Sequence, residues 1–438
     1  MEKILNKIKF KLNKIAKKWD IYVEQKERKE ILVNDGKVEN RISGLISGFS
    51  VRLFKNNKMA YCYGNPKDFE KKINDLKFNF FIEGFENFNF FSDGKISNVN
   101  IYDADLKKIN INEKIKAILE TEKYAKGLNK KIKMVRDFNY SEEIKKIFYE
   151  NSNGFKAKYE KTTVFTFLTM IFREKKGDIA IDGVKSAVRY SDLDFKKIVE
   201  SMKERGIKLL NGKSVKSGYY DIVMPSYISS EFMNYIVPLF FAENIRKKKS
   251  LFWESKIGEK IASEKITVKD DALFDYGVGS FPFDGEGNSG KNKILVGNGV
   301  LKGFLYDNLN AILMKKEPTG NSIRQDFKKI PECGASNFYI EKSNIKKEDV
   351  LKNFNGIMID SLMGLHTIDT VSGNFSLGMN GWLIKNGKIL QPIKEALVIG
   401  NLKEFLNNIE IVCDDLEFHF NFGSPTLFIK NVLVSGKK

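Results

Sequence analysis

Residues 20–64 of the chain are DIYVEQKERKEILVNDGKVENRISGLISGFSVRLFKNNKMAYCYG. Short runs of β-branched and aromatic residues are separated here by two turn sequences, Asn34-Asp35-Gly36 and Lys55-Asn56-Asn57-Lys58. Because Asn, Asp and Gly adopt the backbone angles that tight turns require, such sequences join neighbouring antiparallel strands. The stretch therefore predicts an antiparallel meander near the start of the chain.

The residues before this meander have helical periodicity. Ile4, Ile8, Leu12, Ile15 and Trp19 recur at helical spacing, and lysines occupy another face. A helix packed on a sheet, with its lysines in solvent, fits this pattern. A helix lying on a membrane surface is the alternative.

Two more helices and a pair of strands are predicted before residue 215. The first helix spans residues 112–127, with Ile115, Ile118 and Leu119 facing inward. The second spans residues 192–206, and Gly206 is expected to end it. The inward residues predicted for the second helix are Phe195, Ile198, Val199 and Met202. Residues 158–183 have the pattern of paired strands, so we predict an α+β domain over residues 1–215, with helices packed on an antiparallel sheet.

The pattern changes in residues 216–438. Helical periodicity is confined to residues 226–243 and 402–409, and short strand-like runs punctuated by glycine make up most of the remainder. Many short strands with turn sequences between them are typical of antiparallel β domains. We therefore predict a second, mostly antiparallel β domain, either a sandwich or a distorted barrel.

Charge is the most prominent feature of the composition, since 74 Lys and Arg against 56 Asp and Glu give a net charge of +18. Such an excess is compatible with nucleic-acid binding or with an anionic membrane. The excess is mostly lysine, however, and it is scattered along the chain beside abundant Asn and Ile, as an AT-rich codon bias would produce. The composition therefore does not favour nucleic acid as a partner.

The cysteines and the apolar runs indicate the compartment. Cys62, Cys333 and Cys413 are far apart and odd in number, which argues against a disulfide framework and for a reducing cytoplasm. Lysines interrupt the first residues too often for the apolar core of a signal peptide, and no run approaches 18 apolar residues. We therefore expect a cytoplasmic protein with no membrane partner.

Residues 283–292, FDGEGNSGKN, imitate a phosphate-binding loop. Gly285, Gly290 and Lys291 have the right spacing, but Asn292 stands where a magnesium-binding hydroxyl is needed. Pro282 and two glycines precede the loop where a buried strand should lie, and a strand-like run follows where a helix should begin. The stretch also lacks the Gly and the final Glu of a calcium loop. Nucleotide hydrolysis and calcium binding are therefore not expected.

Residues 250–324 contain a series of short motifs that carries more information. In chain order, the motifs are Gly258-Glu259-Lys260, Asp270-Asp271, Phe283-Asp284-Gly285-Glu286-Gly287, Asn298-Gly299-Val300-Leu301, Asp307, Ala311, Thr319-Gly320-Asn321 and Arg324. This ordered series resembles the TldD/PmbA family of metallopeptidases, historically called modulators of DNA gyrase. Further similarity lies in residues 48–54, 372–376, 381–382 and 386–387, so the resemblance covers nearly the whole chain. One departure is Ser372-Gly373-Asn374, where the family usually has Thr-Gly-Asp.

The resemblance implies one of two kinds of subunit. The TldD type carries His-Glu-x-x-x-His on a helix just before the motif series, with a Cys near the C-terminus as a further ligand. Two imidazoles would hold zinc, the metal would lower the pKa of its bound water to about 7, and the Glu would accept a proton from that water. The TldE/PmbA type lacks these ligands.

The corresponding residues of this chain do not match the zinc motif. Met233 and Pro238 stand where the two His would lie, and Asn234 stands where the Glu would lie. The chain has two histidines, His366 and His419, 53 positions apart, and Cys413 lies upstream of the family's Cys position. We therefore expect neither a catalytic residue nor a metal site here, with zinc on a TldD-type partner. The apolar stretch around Met233 is expected to be buried, in the core or at a subunit interface, and Pro238 is expected to kink or end the helix.

The expected function is that of a PmbA/TldE-like subunit without metal, in a two-subunit cytoplasmic zinc peptidase that acts on extended or unfolded peptides. The chain would shape the chamber and position the substrate, and it would be inactive alone. A homodimeric peptide-binding or regulatory pseudoenzyme is the alternative, so the partner is either a TldD-type homologue or a second copy. A hydrolase built on Asp284 and Glu286 is a third hypothesis. The residues expected to contact substrate are Asp284, Glu286, Asn321, Arg324 and His366.

Overall fold

A computed structural model of the chain describes residues 2–76, 80, 82–91, 94–174 and 177–436, with side chains from residue 9 onward. Its N-terminal part contains one antiparallel sheet in the order β3-β2-β1-β4-β5-β6. The strands are Lys18–Asn34 (β1), Lys37–Lys55 (β2), Lys58–Gly64 (β3), Ile132–Asn151 (β4), Lys156–Phe172 (β5) and Ile179–Ala187 (β6). The helices packed on this sheet are Glu2–Ile15 (α1), Phe69–Leu76 (α2), Ile111–Gly127 (α3) and Phe195–Leu209 (α4).

The predicted meander is confirmed as the hairpins β1–β2 and β2–β3. Asp35 and Gly36 form the first turn with φ angles of 48° and 75°, and Asn56 and Asn57 form the second with 52° and 60°. Positive φ at both central residues matches the right-handed twist of the flanking strands, which is why Asn, Asp and Gly occupy these positions. The paired strands predicted over residues 158–183 are β5 and β6, although Lys175 and Lys176 lie outside the described residues.

The helices cover the sheet as their apolar positions predict. Ile118 of α3 and Val199 of α4 are buried with residues of β1, β4 and β5 in one core cluster. Leu12 of α1 is buried in a second cluster with α2 and the β1–β3 meander, as expected for a helix packed on a sheet. The side chains of Ile4 and Ile8 lie outside the described residues.

Both predicted boundaries of α4 are wrong. The helix begins at Phe195, because Asp194 accepts a hydrogen bond from the backbone N–H of Lys197 and caps it, and residues 190–192 form a separate 3₁₀ turn. It also continues past Gly206 to Leu209. A Cβ at position 206 would lie 2.2 Å from the ring of Phe172, so glycine serves close packing of the helix on β5 and does not end it.

A five-stranded barrel forms the centre of the C-terminal part. Of the two predicted alternatives, a sandwich or a distorted barrel, the barrel is therefore confirmed. Its order is β16-β15-β14-β7-β20, and pairing between β16 and β20 closes it. Most of its pairs are antiparallel, whereas β7 and β14 are parallel. The strands are Gly218–Met224 (β7), Gly356–Met363 (β14), Asn374–Lys385 (β15), Lys388–Asn401 (β16) and Leu427–Gly436 (β20), and Ile409–Val412 (β17) pairs beside β20.

A second sheet packs beside the barrel in the order β10-β9-β8-β13-β19-β18. Its strands are Val268–Asp271 (β8), Asn292–Gly297 (β9), Val300–Leu301 (β10), Asn337–Ile340 (β13), Glu417–His419 (β18) and Phe422–Ser424 (β19). Ser322–Ile323 (β11) and Glu332–Cys333 (β12) form a separate two-stranded ribbon. The helices of this part are Ser226–Ile236 (α5), Ala242–Arg246 (α6), Asn308–Leu313 (α7), Lys347–Leu351 (α8) and Leu402–Asn407 (α9).

Helices α5 and α6 occupy the stretch predicted as one helix over residues 226–243. The α-helix ends at Ile236 and becomes a 3₁₀ turn that contains Pro238, so the predicted effect of the proline is confirmed. The α+β class is likewise confirmed, while the boundary at residues 215 and 216 stays a prediction. Among the helices of the described ranges, none is both long and apolar enough to cross a lipid bilayer.

Candidate functional site

The N-terminal sheet meets the C-terminal part through a buried cluster of charges. Arg52 on β2 lies opposite Asp20 on β1, and its Nε donates to the two carboxylate oxygens at 3.2 and 3.0 Å. Its Nη1 donates to Glu286 Oε1 at 2.7 Å, across 234 residues of sequence. Burial opposes the charge of Arg52, but Asp20 and Glu286 outweigh it and raise the pKa of the guanidinium. We call Asp20, Arg52, Asp284, Glu286 and Arg324 the ionic junction.

Arg324 is the second arginine of the ionic junction. Its Nη2 donates to Asp20 Oδ2 at 2.9 Å, its Nη1 to the hydroxyl of Ser50 at 3.0 Å, and its Nε to the carbonyl of Gly285 at 2.8 Å. A Cβ at position 285 would lie 2.7 Å from Arg324 Cγ, so glycine allows this approach. Arg324 therefore joins the loop after Phe283 to the N-terminal sheet.

The two acidic residues of this loop are engaged by neighbouring hydrogen-bond donors. Asp284 accepts hydrogen bonds from the backbone N–H groups of Glu286, Asn288 and Ser322 at 2.9 to 3.0 Å. Glu286 accepts from the backbone N–H of Asn308 at 3.0 Å and from the hydroxyl of Ser322. Burial, followed by the charge of Glu286, raises the pKa of Asp284 to about 6. These contacts fix the loop in place.

Two of the other expected site residues have different surroundings. Asn321 lies next to Ser322, donates to Asp270 Oδ1 at 2.9 Å and accepts from Lys293 at 3.0 Å, so it extends the buried polar network. His366 is exposed in the 3₁₀ turn Leu365–Thr367 beside the barrel. The fold thus brings Asp284, Glu286 and Arg324 together with Asn321 beside them, while no described contact joins His366 to this network. Their role in substrate binding stays a prediction.

A cavity of about 280 Å³ opens beside the ionic junction. Asp284 and Arg324 line it together with Tyr22, Tyr159 and Lys161 from the N-terminal sheet. Lys161 donates to the carbonyl of Ser280 at 2.9 Å and to that of Val278. Burial, and then the nearby charge of Lys145, lowers the pKa of Lys161 to about 7. The cavity can therefore offer both hydrogen-bond donors and acceptors to a polar ligand.

Sequence reasoning did not select Asp20, Arg52 or Lys161. Asp20 and Arg52 lie in the meander, and their partners Glu286 and Arg324 follow more than 230 residues later. Lys161 is one of many lysines in an exposed-looking strand pattern. No local signal separates these residues from their neighbours, because burial between distant elements decides their role.

Helix α5 and the turn after it contain the positions at which the resemblance implies zinc ligands in a TldD-type subunit. Met233 is 1% exposed in the core cluster that includes Phe232 and Ile236, whereas Asn234 is exposed. Pro238 lies in the following 3₁₀ turn. A buried thioether, an exposed amide and a proline do not form a zinc site, which needs imidazole, thiolate or carboxylate ligands. The residues at these positions therefore do not fit the metal.

One turn before Met233, the same side of α5 carries polar residues that are also buried. Ser229 donates to the carbonyl of Pro425 at 2.8 Å, and Ser230 donates to that of Glu417 at 2.7 Å. The expected burial of this segment is confirmed for this side, and Asn234 marks an exposed position that the expectation of complete burial missed.

The other potential ligands do not assemble a site. Burial lowers the pKa of His419 and, as the largest cause, raises that of the Cys413 thiol to about 12. Within the described ranges, no three His, Cys, Asp or Glu side chains are grouped so that they could hold a metal ion.

Comparison with known proteins gives matches along most of the chain. Sequence profiles of the PmbA/TldA metallopeptidases match at residues 19–77 (domain 1), 104–210 (central domain) and 217–436 (C-terminal domain). The metalloprotease PmbA homolog of Buchnera aphidicola subsp. Acyrthosiphon pisum is 26% identical over 430 residues, which cover 95% of this chain and 93% of that protein.

Solved structures share the fold. A putative modulator of a DNA gyrase from Thermotoga maritima has a TM-score of 0.89 at 23% identity and covers 98% of this chain and all of its own. TldE from Thermococcus kodakarensis has a TM-score of 0.89 at 21% identity and covers 99% of this chain and all of its own.

Proposed function

Because the chain belongs to the PmbA/TldA metallopeptidase family, we propose that it is the subunit without metal in a two-subunit zinc peptidase. One observation carries this proposal, namely the apolar packing of Met233 on α5 where a TldD-type subunit would hold its metal. A thioether in an apolar core neither accepts a proton from water nor provides a charge for a divalent ion. The water-activating groups of such a peptidase would lie on a TldD-type partner.

The role of this chain would be to close the chamber and position the substrate. Asp284 and Glu286 support this role rather than acid-base catalysis, because backbone N–H groups, Ser322 and Arg52 already engage their carboxylates. The cavity beside them has both donors and acceptors, which suits the polar backbone of an extended peptide. Unfolded or extended peptides are therefore the proposed substrates, and their backbone would be recognised more than their side chains.

The proposed compartment is the cytoplasm. Cys62, Cys333 and Cys413 are all free thiols. A reducing compartment keeps such thiols from forming mixed disulfides.

The test is reconstitution with a homologue that carries the His-Glu-x-x-x-His helix. The two chains are purified separately without tags, and hydrolysis of an unfolded protein such as reduced casein is measured for each chain and for the mixture. Activity is expected when the two are mixed, together with a heterodimer in light scattering and loss of activity with a chelator. A partner whose motif Glu is replaced by Gln serves as the control and should form an inactive heterodimer. Failure of the two chains to associate would contradict the proposal.

A peptide-binding pseudoenzyme that forms a homodimer is the second candidate. The polar cavity favours it as much as it favours the first proposal, since both require peptide binding by this chain. In this case the same reconstitution would give a homodimer that does not associate with the homologue and that binds unfolded protein without cleaving it.

A further inference from the structure

Lys161 lies in the wall of the cavity beside the ionic junction, and its hydrogen bonds go to backbone carbonyl groups. An uncharged amine has two N–H groups, whereas an ammonium has three. The carbonyls of Val278 and Ser280 therefore satisfy the uncharged form of Lys161 completely. The charged form has one N–H left for a further acceptor. Because Lys161 lines the cavity, a ligand bound there can supply that acceptor.

The acids of the cavity lining are already engaged by other donors. Glu143 pairs with Lys26 at 3.2 Å, and Asp284 accepts hydrogen bonds from backbone N–H groups at 2.9 to 3.0 Å. Arg324 donates from all three of its guanidinium nitrogens to other protein groups. In the ranges that the structure describes, Lys161 is thus the cation of this lining without an acidic partner.

A second lysine lies on the same wall. Lys145 on β4 is directly opposite Lys161 in the antiparallel ladder, so the two side chains share one face of the sheet. The ion pairs of Lys145 with Glu143 and Glu24 are long, at 3.6 and 3.9 Å. Thr163 adds a hydroxyl to the lining two residues after Lys161. This wall therefore presents two amines and a hydroxyl, all of which can donate to an anion.

The size and charge of the cavity select the kind of anion. Its volume of about 280 Å³ lies at the lower end of the roughly 300–1,000 Å³ that ligand pockets occupy, so it takes a small group. A phosphate group brings a charge of about −1.5 to −2 close to Asp284 and Glu143. A carboxylate brings one negative charge and accepts hydrogen bonds on two oxygens. The lining therefore suits a carboxylate better than a phosphate.

We propose that Lys161 anchors a carboxylate-binding subsite, in which a ligand carboxylate accepts the third N–H of the ammonium and forms an ion pair with it. Two sources share this chemistry, namely the C-terminal carboxylate of a peptide and a small free carboxylic acid. The peptide source rests on the proposed function and deepens it, since it assigns the cavity to the end of the substrate chain.

Binding of a carboxylate should draw a proton onto the chain. Burial, and then the charge of Lys145, lowers the pKa of Lys161 to about 7, so about half of this amine is uncharged at pH 7. An anion beside it raises the pKa, and binding at pH 7 should take up as much as about half a proton. Affinity should fall about fivefold between pH 7 and pH 8, because the amine loses its charge.

The neighbouring groups contribute little to this change. The other titratable and charged groups of the lining are Tyr22, Glu143, Lys145, Tyr159, Asp284 and Arg324. Burial is the largest cause that raises the pKa of both tyrosines, so they stay uncharged at pH 7 and 8. Asp284, with a pKa of about 6, is mostly ionised at pH 7.

Isothermal titration calorimetry of the full chain tests the proposal. The probes are acetyl-tetraalanine with a free C-terminus, the same peptide with a C-terminal amide, and N-acetylalanine as a small acid. At pH 7 the peptide acid should bind at least tenfold more tightly than the amide. Heats in two cationic buffers that differ in ionisation enthalpy should show the proton uptake. Equal affinity of N-acetylalanine and the peptide acid would assign the subsite to small acids, and much weaker binding would assign it to peptide ends.

Two matched variants on β5 locate the binding site. Lys161→Met keeps an unbranched side chain but removes the amine, so this variant should bind the peptide acid and the amide equally. Lys158 is exposed and lies outside the cavity lining, so Lys158→Met should keep the preference for the acid. Thermal unfolding shows whether both variants are folded, and the comparison of acid with amide on the wild type needs no variant.

Three results would overturn the inference. They are equal affinity of the wild type for acid and amide, a preference for the acid that persists in Lys161→Met, and binding of the acid without proton uptake. These measurements use the isolated chain, whereas activity on mixing with the His-Glu-x-x-x-His homologue tests the proposed function. Activity on mixing without a preference for the acid rejects the subsite alone. A preference for the acid without activity on mixing rejects the proposed function alone.

Discussion

Helix α5 and the ionic junction are both buried, but apolar side chains surround Met233 in the first whereas charged side chains form the second. Around Met233, at the position where the resemblance implies zinc ligands in a TldD-type subunit, the side chains are apolar and form part of a core. In the ionic junction, charged groups are retained and paired with one another across the two halves of the chain. The difference indicates that buried charge alone does not mark a reactive site. What matters is whether a charged group keeps a free face toward a ligand.

Loss of Arg52 is expected to have the largest effect on stability. Arg52→Ala leaves Glu286 buried without its arginine and Asp20 with Arg324 alone, and breaking a buried ion pair in this way costs about 3–5 kcal/mol. Urea unfolding of the purified chain measures the change. Arg28→Ala is the matched control, because Arg28 lies on the neighbouring strand with about half of its side chain exposed, and it should change stability by less than about 1 kcal/mol. Equal effects of the two variants would show that the junction does not connect the halves.

Truncation of Met233 tests how tightly the apolar core around α5 is packed. Met233→Ala should destabilise the chain by about 2–5 kcal/mol, because it opens a cavity in a close-packed core. Asn234→Ala, one residue further along the same helix, should change the unfolding free energy by less than about 0.5 kcal/mol because the side chain is exposed. Unfolding in urea compares the two. A small effect at Met233 would mean that the position is loosely packed and could accommodate other groups.

The pH dependence of the unfolding free energy tests the raised pKa of Asp284, and the expected effect is smaller than those above. Its pKa is about 6 in the folded chain against 3.8 for a free side chain, so the folded state binds the proton more tightly. The contribution of Asp284 to stability therefore falls as the pH rises from about 4 to about 6, and it is constant above that window. Asp284→Asn should make the unfolding free energy fall less, or rise more, over this window than it does in the wild type.

Two other aspartates serve as references for this measurement. Asp307 has its pKa raised to about 6 by burial and by Glu286, so part of the falling contribution should persist in Asp284→Asn. Asp349 is exposed, and a hydrogen bond from Lys352 lowers its pKa, so Asp349→Asn should not reduce the fall. A wild-type and an Asp284→Asn chain with identical pH profiles would contradict the assigned pKa.

Local sequence patterns predicted much of the fold because local chemistry determines it. The turns at Asp35 and at Asn56 require positive φ, and the apolar spacing of α3 matches its buried face. The end of α4 could not be predicted, since Gly206 is explained by the ring of Phe172 on another element. Closure of the barrel likewise depends on pairing between β16 and β20, which no local sequence pattern predicts.

The candidate site was predicted in part for the same reason. Asp284, Glu286 and Arg324 lie in motifs that stand out in the sequence, and the fold brings them together. Arg52 lies in the family-like residues 48–54, but neither it nor Asp20 was identified as a partner, because contacts across more than 230 residues leave no local pattern. His366 is the opposite case. It was predicted as a site residue because histidine is rare in this chain, but it lies in an exposed turn.

Zinc analysis of the isolated chain tests the central claim most directly. The tag-free protein is incubated with excess zinc, dialysed and analysed by mass spectrometry for bound metal, with the His-Glu-x-x-x-His homologue treated in parallel. The account predicts far less than one zinc per chain here and close to one in the homologue. One tightly held zinc per chain in this protein, with hydrolysis that a chelator stops, would contradict it.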